Sequence, residues 1–237
     1  MAMSPGKEEG LPSLTAITFK RGLVAGRLYL ALATLITLIL TAVLLHNAKP
    51  GVFANTFPLE LPLFATLGSM GGIMLFVSDR SKGVLEYLIA YGVRPRSLFL
   101  NVLLTAAALS SLVLFCALAV GLGGYLLVGN TLTTDLENSI LGYTVPMTYA
   151  SALFATMTGM LWSVLSTPRA GLNSPVGVSP LLGIAPPMLV LILADAVDKS
   201  AYYDITVGAS IGFLLVVAGL LVLSTRLMGR ERFLSAM

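Results

Sequence analysis

Six long apolar stretches dominate this chain of 237 residues and decide what it can fold into. The hydrocarbon core of a bilayer is about 30 Å thick, so a helical span needs roughly 20 mostly apolar residues. A segment exposed to lipid must also satisfy its own backbone hydrogen bonds, which predicts a helix for each stretch. The predicted spans cover about residues 24–45, 57–77, 98–128, 140–165, 176–194 and 205–227.

The composition supports this interpretation. Hydrophobic residues make up 57% of the chain and charged residues only 11%, whereas roughly a quarter of the residues in an average soluble domain are charged. We therefore predict an all-α integral membrane protein with a single transmembrane domain over residues 1–237. A lone cysteine, Cys116, cannot form an internal disulfide or a multi-cysteine metal site, and we predict no metal.

Lysine and arginine are divided very unequally between the two predicted sides of the membrane. Of the 14 such residues, all but Lys49 and Lys199 lie on the side that holds both termini and residues 78–97, a split of 12 to 2. The positive-inside rule then predicts a multi-pass protein of the cell membrane with both termini in the cytoplasm. Because orientation explains the basic excess, no nucleic-acid partner is predicted. The external loops, 46–56, 129–139 and 195–204, are too short for a folded domain.

Two segments depart from the simple pattern of spans and loops. Leu11, Leu14, Ile17 and Leu23 recur at roughly helical spacing, which predicts an amphipathic elbow helix over about residues 11–23 on the cytoplasmic leaflet. The alternative is a frayed tail whose basic residues only set the topology. The fifth span has four prolines in or just before it, and they predict a broken helix that lines an interface or pathway. A kinked helix with a purely structural role is the alternative. These prolines are Pro175, Pro180, Pro186 and Pro187.

Several kinds of chemistry have no residues to perform them. Away from their ends the predicted spans contain no Asp, Glu, Lys, Arg or His, although ion-coupled carriers and pumps normally place ionisable groups there. The chain has no His-Glu-x-x-His pair and no Gly-x-x-x-x-Gly-Lys-Ser/Thr phosphate loop. We therefore predict that it is not an enzyme and that any ATP is hydrolysed by another polypeptide.

Residues 78–97 form a charged, helix-forming segment between the second and third spans. A helix from about residue 81 to 91 places Val84, Leu85, Leu88 and Ile89 on one face. Lys82 and Glu86 are four residues apart and are predicted to pair on the other face. Gly92 is predicted to release the chain, and Pro95 to begin the third span. The alternative is a basic loop that only sets the topology and has an incidental apolar stripe.

The run from Asp79 to Ala90 resembles the cytoplasmic coupling helix of type-2 ATP-binding-cassette exporter permeases. That family shows a charged lead, then Gly-Thr-Leu-Glu and Leu-Leu, and then a turn into the third span. Gly83, Leu85, Glu86 and Leu88 match this pattern, while Val84 replaces the threonine and Gly92 replaces a proline. The elbow, the six spans, the cytoplasmic termini and the arginine-rich exit at residues 226–232 also resemble that family.

This resemblance implies a permease subunit that forms the membrane pathway of an ATP-driven exporter for a hydrophobic or amphipathic substrate. Its partners would be two cytoplasmic ATPase subunits, which bind the ATP and Mg, a second permease, identical or homologous, and membrane lipid. The apolar side chains of the coupling segment would enter a groove on the ATPase and its charged side chains would set the orientation. The implied coupling residues are Arg80, Lys82, Gly83, Val84, Leu85, Glu86, Leu88, Ile89, Arg94 and Arg96.

Two other functions stay open at this point. One is a haem-exporter-type permease for cytochrome maturation, which shares the same general mechanism. The other is a non-transporting membrane scaffold, in which the segment recruits a cytoplasmic protein. No residue is assigned to substrate binding.

Overall fold

The computed structural model describes residues 14–47, 50–165, 175–195 and 202–227, and the regular structure within these ranges is entirely helical. A 3₁₀ turn covers Thr66–Ser69, and a π-helical turn covers Ile140–Thr144. The α-helices are α1 (Leu14–Ala25), α2 (Arg27–Asn47), α3 (Pro50–Ala65), α4 (Met70–Ser81), α5 (Val84–Ala90), α6 (Pro95–Leu127), α7 (Thr134–Ser139), α8 (Val145–Leu165), α9 (Pro175–Asp195) and α10 (Tyr202–Leu227).

Four helical segments in the described ranges are long and apolar enough to cross a membrane: Arg27–His46, Val52–Ser81, Pro95–Leu127 and Tyr203–Arg226. They correspond to the first, second, third and sixth predicted spans. The prediction of an all-helical chain with apolar helices of membrane-spanning length is confirmed. The fourth and fifth predicted spans correspond to α8 and α9, each 21 residues long. The count of six spans stays a prediction.

Helix α8 lies at the centre of the bundle. It packs against α3, α4, α6, α9 and α10, and Ala150, Ala155 and Met160 on it are completely buried. Thr148 and Thr156 donate their hydroxyl protons to carbonyl oxygens one turn earlier, both at 2.7 Å. Because α8 faces protein rather than lipid, internally bonded hydroxyls are tolerated on it.

The second predicted span begins earlier than the sequence suggested. Most of the predicted loop 46–56 is helical, since α2 continues to Asn47 and α3 begins at Pro50. Phe53 anchors this extra turn by stacking on Phe57 and on Tyr125, with ring centroids 4.7 Å apart in both pairs. Glu60 consequently lies nearly three turns inside α3. The loop prediction was wrong because the contact of Phe53 with Tyr125 joins residues far apart in the sequence.

A 3₁₀ turn interrupts this same span where it passes α6. At Gly68 an added Cβ would come within 2.8 Å of the Leu109 carbonyl oxygen and 2.9 Å of the Ser110 Cα. The hydroxyls of Thr66 and Ser69 donate to the carbonyls of Pro62 and Thr66, at 2.6 and 2.7 Å. The turn therefore allows close approach of two backbones, and its own hydroxyls are satisfied by carbonyls of the same span.

The predicted loop 129–139 also contains a helix. Thr133 caps α7, since its side-chain oxygen accepts a hydrogen bond from the Leu136 amide at 3.3 Å. Leu136 is fully buried in the same apolar cluster as Phe53. Regular α-helix resumes at Val145, after the π turn, so residues 140–165 of the fourth predicted span are helical throughout.

The proline-rich segment forms one continuous helix, so the prediction of a broken fifth span was wrong. Pro175 occupies the first position of α9, where a missing amide proton does no harm. Packing holds the rest of the helix in place. At Gly183 an added Cβ would lie 2.6 Å from the Cβ of Ala155 and 2.9 Å from the Cγ2 of Thr66, so α9 fits closely against α8 and the 3₁₀ turn.

The predicted elbow corresponds to α1, although residues 11–13 lie outside the described ranges. The Gly26 amide donates to the Gly22 carbonyl at 2.8 Å, and the Leu30 amide donates to the Gly26 carbonyl at 2.9 Å. The helical bonding therefore continues through the junction, and α1 leads almost directly into α2. Its position on a leaflet stays a prediction.

Candidate functional site

The short helix α5 lies at one end of the bundle, between the end of α4 and the start of α6. Leu85 and Ile89 are each only 3% exposed and pack in a cluster that includes Phe76 of α4 and Phe99 of α6. Leu88 is partly buried against the same cluster. This contact fixes a helix of seven residues that would not be stable alone.

Two glycines in left-handed conformation fix the ends of α5. Gly83 caps the amino end with φ of 69°, and Gly92 follows the carboxyl end with φ of 89°. The Gly92 and Val93 amides donate to the Ile89 and Leu88 carbonyls, both at 3.0 Å. These two bonds form a Schellman motif, which requires positive φ at Gly92.

The start of α6 was predicted correctly. Pro95 is the first residue of the helix, and Arg94 before it is extended, with φ of −69° and ψ of 131°. A residue before proline is sterically excluded from the helical region, so this dipeptide sets the boundary.

The predicted helix over residues 81–91 is shorter in the structure. Ser81 ends α4, Lys82 is its C-cap, and α5 begins only at Val84. Lys82 and Glu86 are therefore not on one helix, and the predicted pairing between them was wrong. Glu86 interacts electrostatically with Arg80 instead, and its Oε2 is buried with no hydrogen-bond partner in the described part of the chain.

The apolar stripe of α5 faces the bundle rather than a partner. Leu85 and Ile89 are occupied by internal packing, and Val84 and Leu88 are only partly exposed. The prediction that these four side chains together enter a groove on another protein was wrong for Leu85 and Ile89. The prediction failed because an apolar stripe on a short helix can pack either against another protein or against its own chain. Here the ends of neighbouring helices in the same chain cover it.

Two tyrosines form the outward face of α5. Tyr87 is 59% exposed and Tyr91 is 73% exposed, and their ring centroids lie 4.4 Å apart. A side-chain hydrogen bond with Tyr91 raises the pKa of the Tyr87 phenol. The sequence carries a signal for this face, because the two residues are four apart and opposite to Leu85 and Ile89.

Three exposed cations flank the tyrosine pair, at both ends of α5. These are Lys82, Arg94 and Arg96. The ion pair found among the described residues is Arg21–Asp79 and does not involve them. We call these exposed residues in and beside α5 the α5 face (Lys82, Tyr87, Tyr91, Arg94 and Arg96).

A set of polar contacts beneath α5 ties the neighbouring helices together. Asp79, with a side chain 8% exposed, forms an ion pair with Arg21 of α1. Thr15 of α1 donates to the Asn101 side-chain oxygen of α6 at 2.7 Å. Arg80 donates to the hydroxyl oxygen of Ser163 and to the Val164 carbonyl of α8, both at 3.4 Å. None of these pairs was predicted, since their partners are 58 to 86 residues apart.

The hydroxyl side chains inside the bundle are mostly bonded to their own helices. Thr34, Thr37 and Thr158, for example, each donate to the carbonyl four residues earlier. Ser110 and Ser151 are completely buried, and their hydroxyls have no hydrogen-bond partner among the described residues. The described residues contain no group of three or more His, Cys, Asp or Glu that could hold a metal ion.

Comparisons with known proteins add no relative: no family model, no curated protein and no solved structure matches the chain.

Proposed function

We propose that this chain is the permease subunit of an ATP-driven exporter of the ATP-binding-cassette type, working with separate cytoplasmic ATPase subunits. In this proposal it pairs with an identical or homologous permease and carries a hydrophobic or amphipathic substrate. It spans the cell membrane six times, with both termini in the cytoplasm, and the ATPase subunits bind the ATP and Mg.

The observation that carries the proposal is α5, a short helix held at the end of the bundle between two helices long enough to span a membrane. Its two glycine caps and its buried leucine and isoleucine make it a rigid projection. Its α5 face is exposed. Such a projection can transmit a push from outside the membrane to α4 and α6, which it contacts.

The contacts beneath α5 support transmission beyond these two helices. Movement of the end of α4 would be felt by α1 through Arg21–Asp79 and by α8 through Arg80. A loop that served only to set the topology would need neither the caps nor these contacts. The charge distribution adds independent support, since the positive-inside rule places the α5 end in the cytoplasm.

Purification of the tagged chain from its own membranes in mild detergent tests the proposal. We expect a protein with a phosphate loop to co-purify in a one-to-one ratio with this chain, and the preparation to hydrolyse ATP. Co-purification of a cytoplasmic protein without a phosphate loop would favour the scaffold function instead. Recovery of the chain alone in detergent that preserves known membrane complexes would contradict both functions.

A further inference from the structure

Glu60 is an acidic residue inside a helix that is long and apolar enough to cross a membrane. The predicted span 57–77 put it near an end, but the helix in the structure begins earlier. Glu60 lies eight residues, or about 12 Å, after the first residue of the span Val52–Ser81. Phe57, nearly one turn before it, already lies against Gly121, well inside α6. The carboxyl group therefore lies within the apolar layer of the bundle and not at its surface.

The side chain of Glu60 lies between two buried flanks of α3. Leu59, the residue before it, packs in one cluster with Val190 of α9. Leu61, the residue after it, packs in another cluster with Ala33 of α2. Successive helical residues are rotated by about 100°, so Glu60 faces outward between α2 and α9, and it is partly exposed. Both helices pack against α3, while any packing between α2 and α9 is marginal in the described ranges. Helix α3 is therefore the floor of a groove between α2 and α9, and Glu60 lies on that floor.

The carboxylate of Glu60 has no cation to pair with in the described part of the chain, where its side chain forms neither a hydrogen bond nor an ion pair. A charged group at membrane depth faces a water-filled cavity or a partner of opposite charge, because lipid does not solvate it. An identical second copy does not supply that partner, since the predicted spans carry no Lys, Arg or His away from their ends. Lipid headgroups lie at the membrane surface. A solute that enters the groove is therefore the source of a cation for Glu60.

We propose that Glu60 binds the positive charge of an amphipathic organic cation, and that compounds of this class are the exported substrate. This inference rests on the proposed function and names its substrate class. Thr56 and Phe64, one turn before and after Glu60, are partly exposed on the same face of α3. The Phe64 ring can contact the cation or its apolar part. A metal ion fits this site poorly, because it needs several ligands and no group of three or more His, Cys, Asp or Glu is found in the described residues.

Binding of tetraphenylphosphonium tests the inference, with tetraphenylborate as a probe of the same shape and opposite charge. The chain, with any ATPase that co-purifies, is placed in lipid nanodiscs. Each probe is measured alone by equilibrium dialysis, as binding above that of empty nanodiscs of the same lipid. We expect saturable binding of the phosphonium and none of the borate at the same concentrations. This comparison uses the unchanged chain, so it tests the inference even if a substitution at Glu60 prevents folding.

Substitutions assign the binding to one carboxylate. Glu60→Gln is expected to weaken phosphonium binding by about tenfold or more, the loss typical of one charged interaction, and Glu60→Asp to weaken it less because the charge is kept. Glu137→Gln removes the same charge from an exposed position on α7 and should leave binding unchanged. The phosphonium should also change the ATPase rate of the complex, and Glu60→Gln should need a higher concentration for the same response. Gel filtration of each variant checks that it folds.

The outcomes distinguish this inference from the function beneath it. Equal phosphonium binding by the unchanged chain and Glu60→Gln, or equal binding of the two probes, would overturn the inference. The proposed function would then still stand if a phosphate-loop ATPase co-purifies, because that result does not depend on Glu60. Binding that depends on Glu60 in a chain that recovers no such ATPase would overturn the proposed function, and with it the claim that the cation is an exported substrate.

Discussion

Asp79 holds a charge that the surrounding residues must balance, because its side chain is 8% exposed at the end of a long apolar helix. Arg21 supplies the balance from a helix 58 residues earlier in the sequence. Removing one member of such a pair leaves a polar group desolvated, whereas removing both does not. The effect of changing Arg21 or Asp79 on stability therefore depends on whether the other residue is present.

Arg21→Met is expected to destabilise the protein by about 1–3 kcal/mol, because it leaves the Asp79 carboxylate buried without its partner. Asp79→Asn combined with Arg21→Met should recover part of that loss. Thermal unfolding of the four proteins in detergent measures this as a double-mutant cycle. If the changes in unfolding free energy caused by the two substitutions simply add, the ion pair does not stabilise the fold.

Leu85 and Tyr87 lie two residues apart and test the orientation of α5. Leu85→Ala is expected to cost about 2–5 kcal/mol because it empties a buried position. Tyr87→Ala should change stability by no more than about 0.5 kcal/mol, since its ring is exposed. Melting temperatures in detergent compare them, and a larger loss for Tyr87→Ala would mean that α5 is turned the other way. Substitution of Leu85 is therefore unsuitable for testing whether α5 couples the chain to an ATPase, because it would disturb the fold.

The glycines in the helices differ in whether neighbouring atoms would leave room for a side chain. Gly68 lies where the 3₁₀ turn touches the backbone of α6, while Gly212 of α10 has no neighbouring atom within 4 Å of an added Cβ. The two positions share a residue type and an apolar helical setting. They differ in their surroundings and in helix type, since Gly68 lies in a 3₁₀ turn and Gly212 in a regular α-helix.

Gly68→Ala is expected to destabilise the protein by about 1–3 kcal/mol, since backbone atoms 2.8 and 2.9 Å from the new Cβ cannot move aside easily. Gly212→Ala should be neutral or slightly stabilising, because alanine favours a helix more than glycine does. Unfolding temperatures of the two variants in the same detergent provide the measurement. Similar effects at both positions would contradict the close packing of the 3₁₀ turn on α6.

The sequence predicts which segments are helices better than it predicts the ends of those helices or the direction in which their apolar sides point. Apolar length identified the helical segments, and the steric effect of Pro95 located the start of α6. The extra turn at Phe53 and the helix at Leu136 could not be seen, because both depend on stacking and burial against residues far along the chain. The direction of the α5 stripe was missed for the same reason. Periodicity shows that a helix has an apolar side but does not show what covers it.

For the whole molecule, the proposal requires that the two ends of α6 lie on opposite sides of the membrane. Lys82 precedes this 33-residue helix, Thr131 follows it, and both are exposed. Cys116 is exposed as well and must be replaced first.

In a Cys116→Ser background, Thr131→Cys is expected to react with a membrane-impermeant maleimide added to intact cells, and Lys82→Cys is expected to react only after the cells are opened. The positive-inside distribution of the cations is the physical reason. Labelling of Lys82→Cys in intact cells would show that the orientation is the reverse of the one proposed, and that α5 is out of reach of a cytoplasmic ATPase.

The central claim is that an ATPase outside this chain works through it, and ATP hydrolysis measured with and without the chain tests that most directly. The co-purified ATPase would be assayed alone and bound to the permease in lipid nanodiscs, at equal ATPase concentration. We predict that the bound ATPase has a different rate, and that amphipathic compounds change its rate only when the permease is present. Identical rates in both states, with no response to such compounds, would contradict the claim.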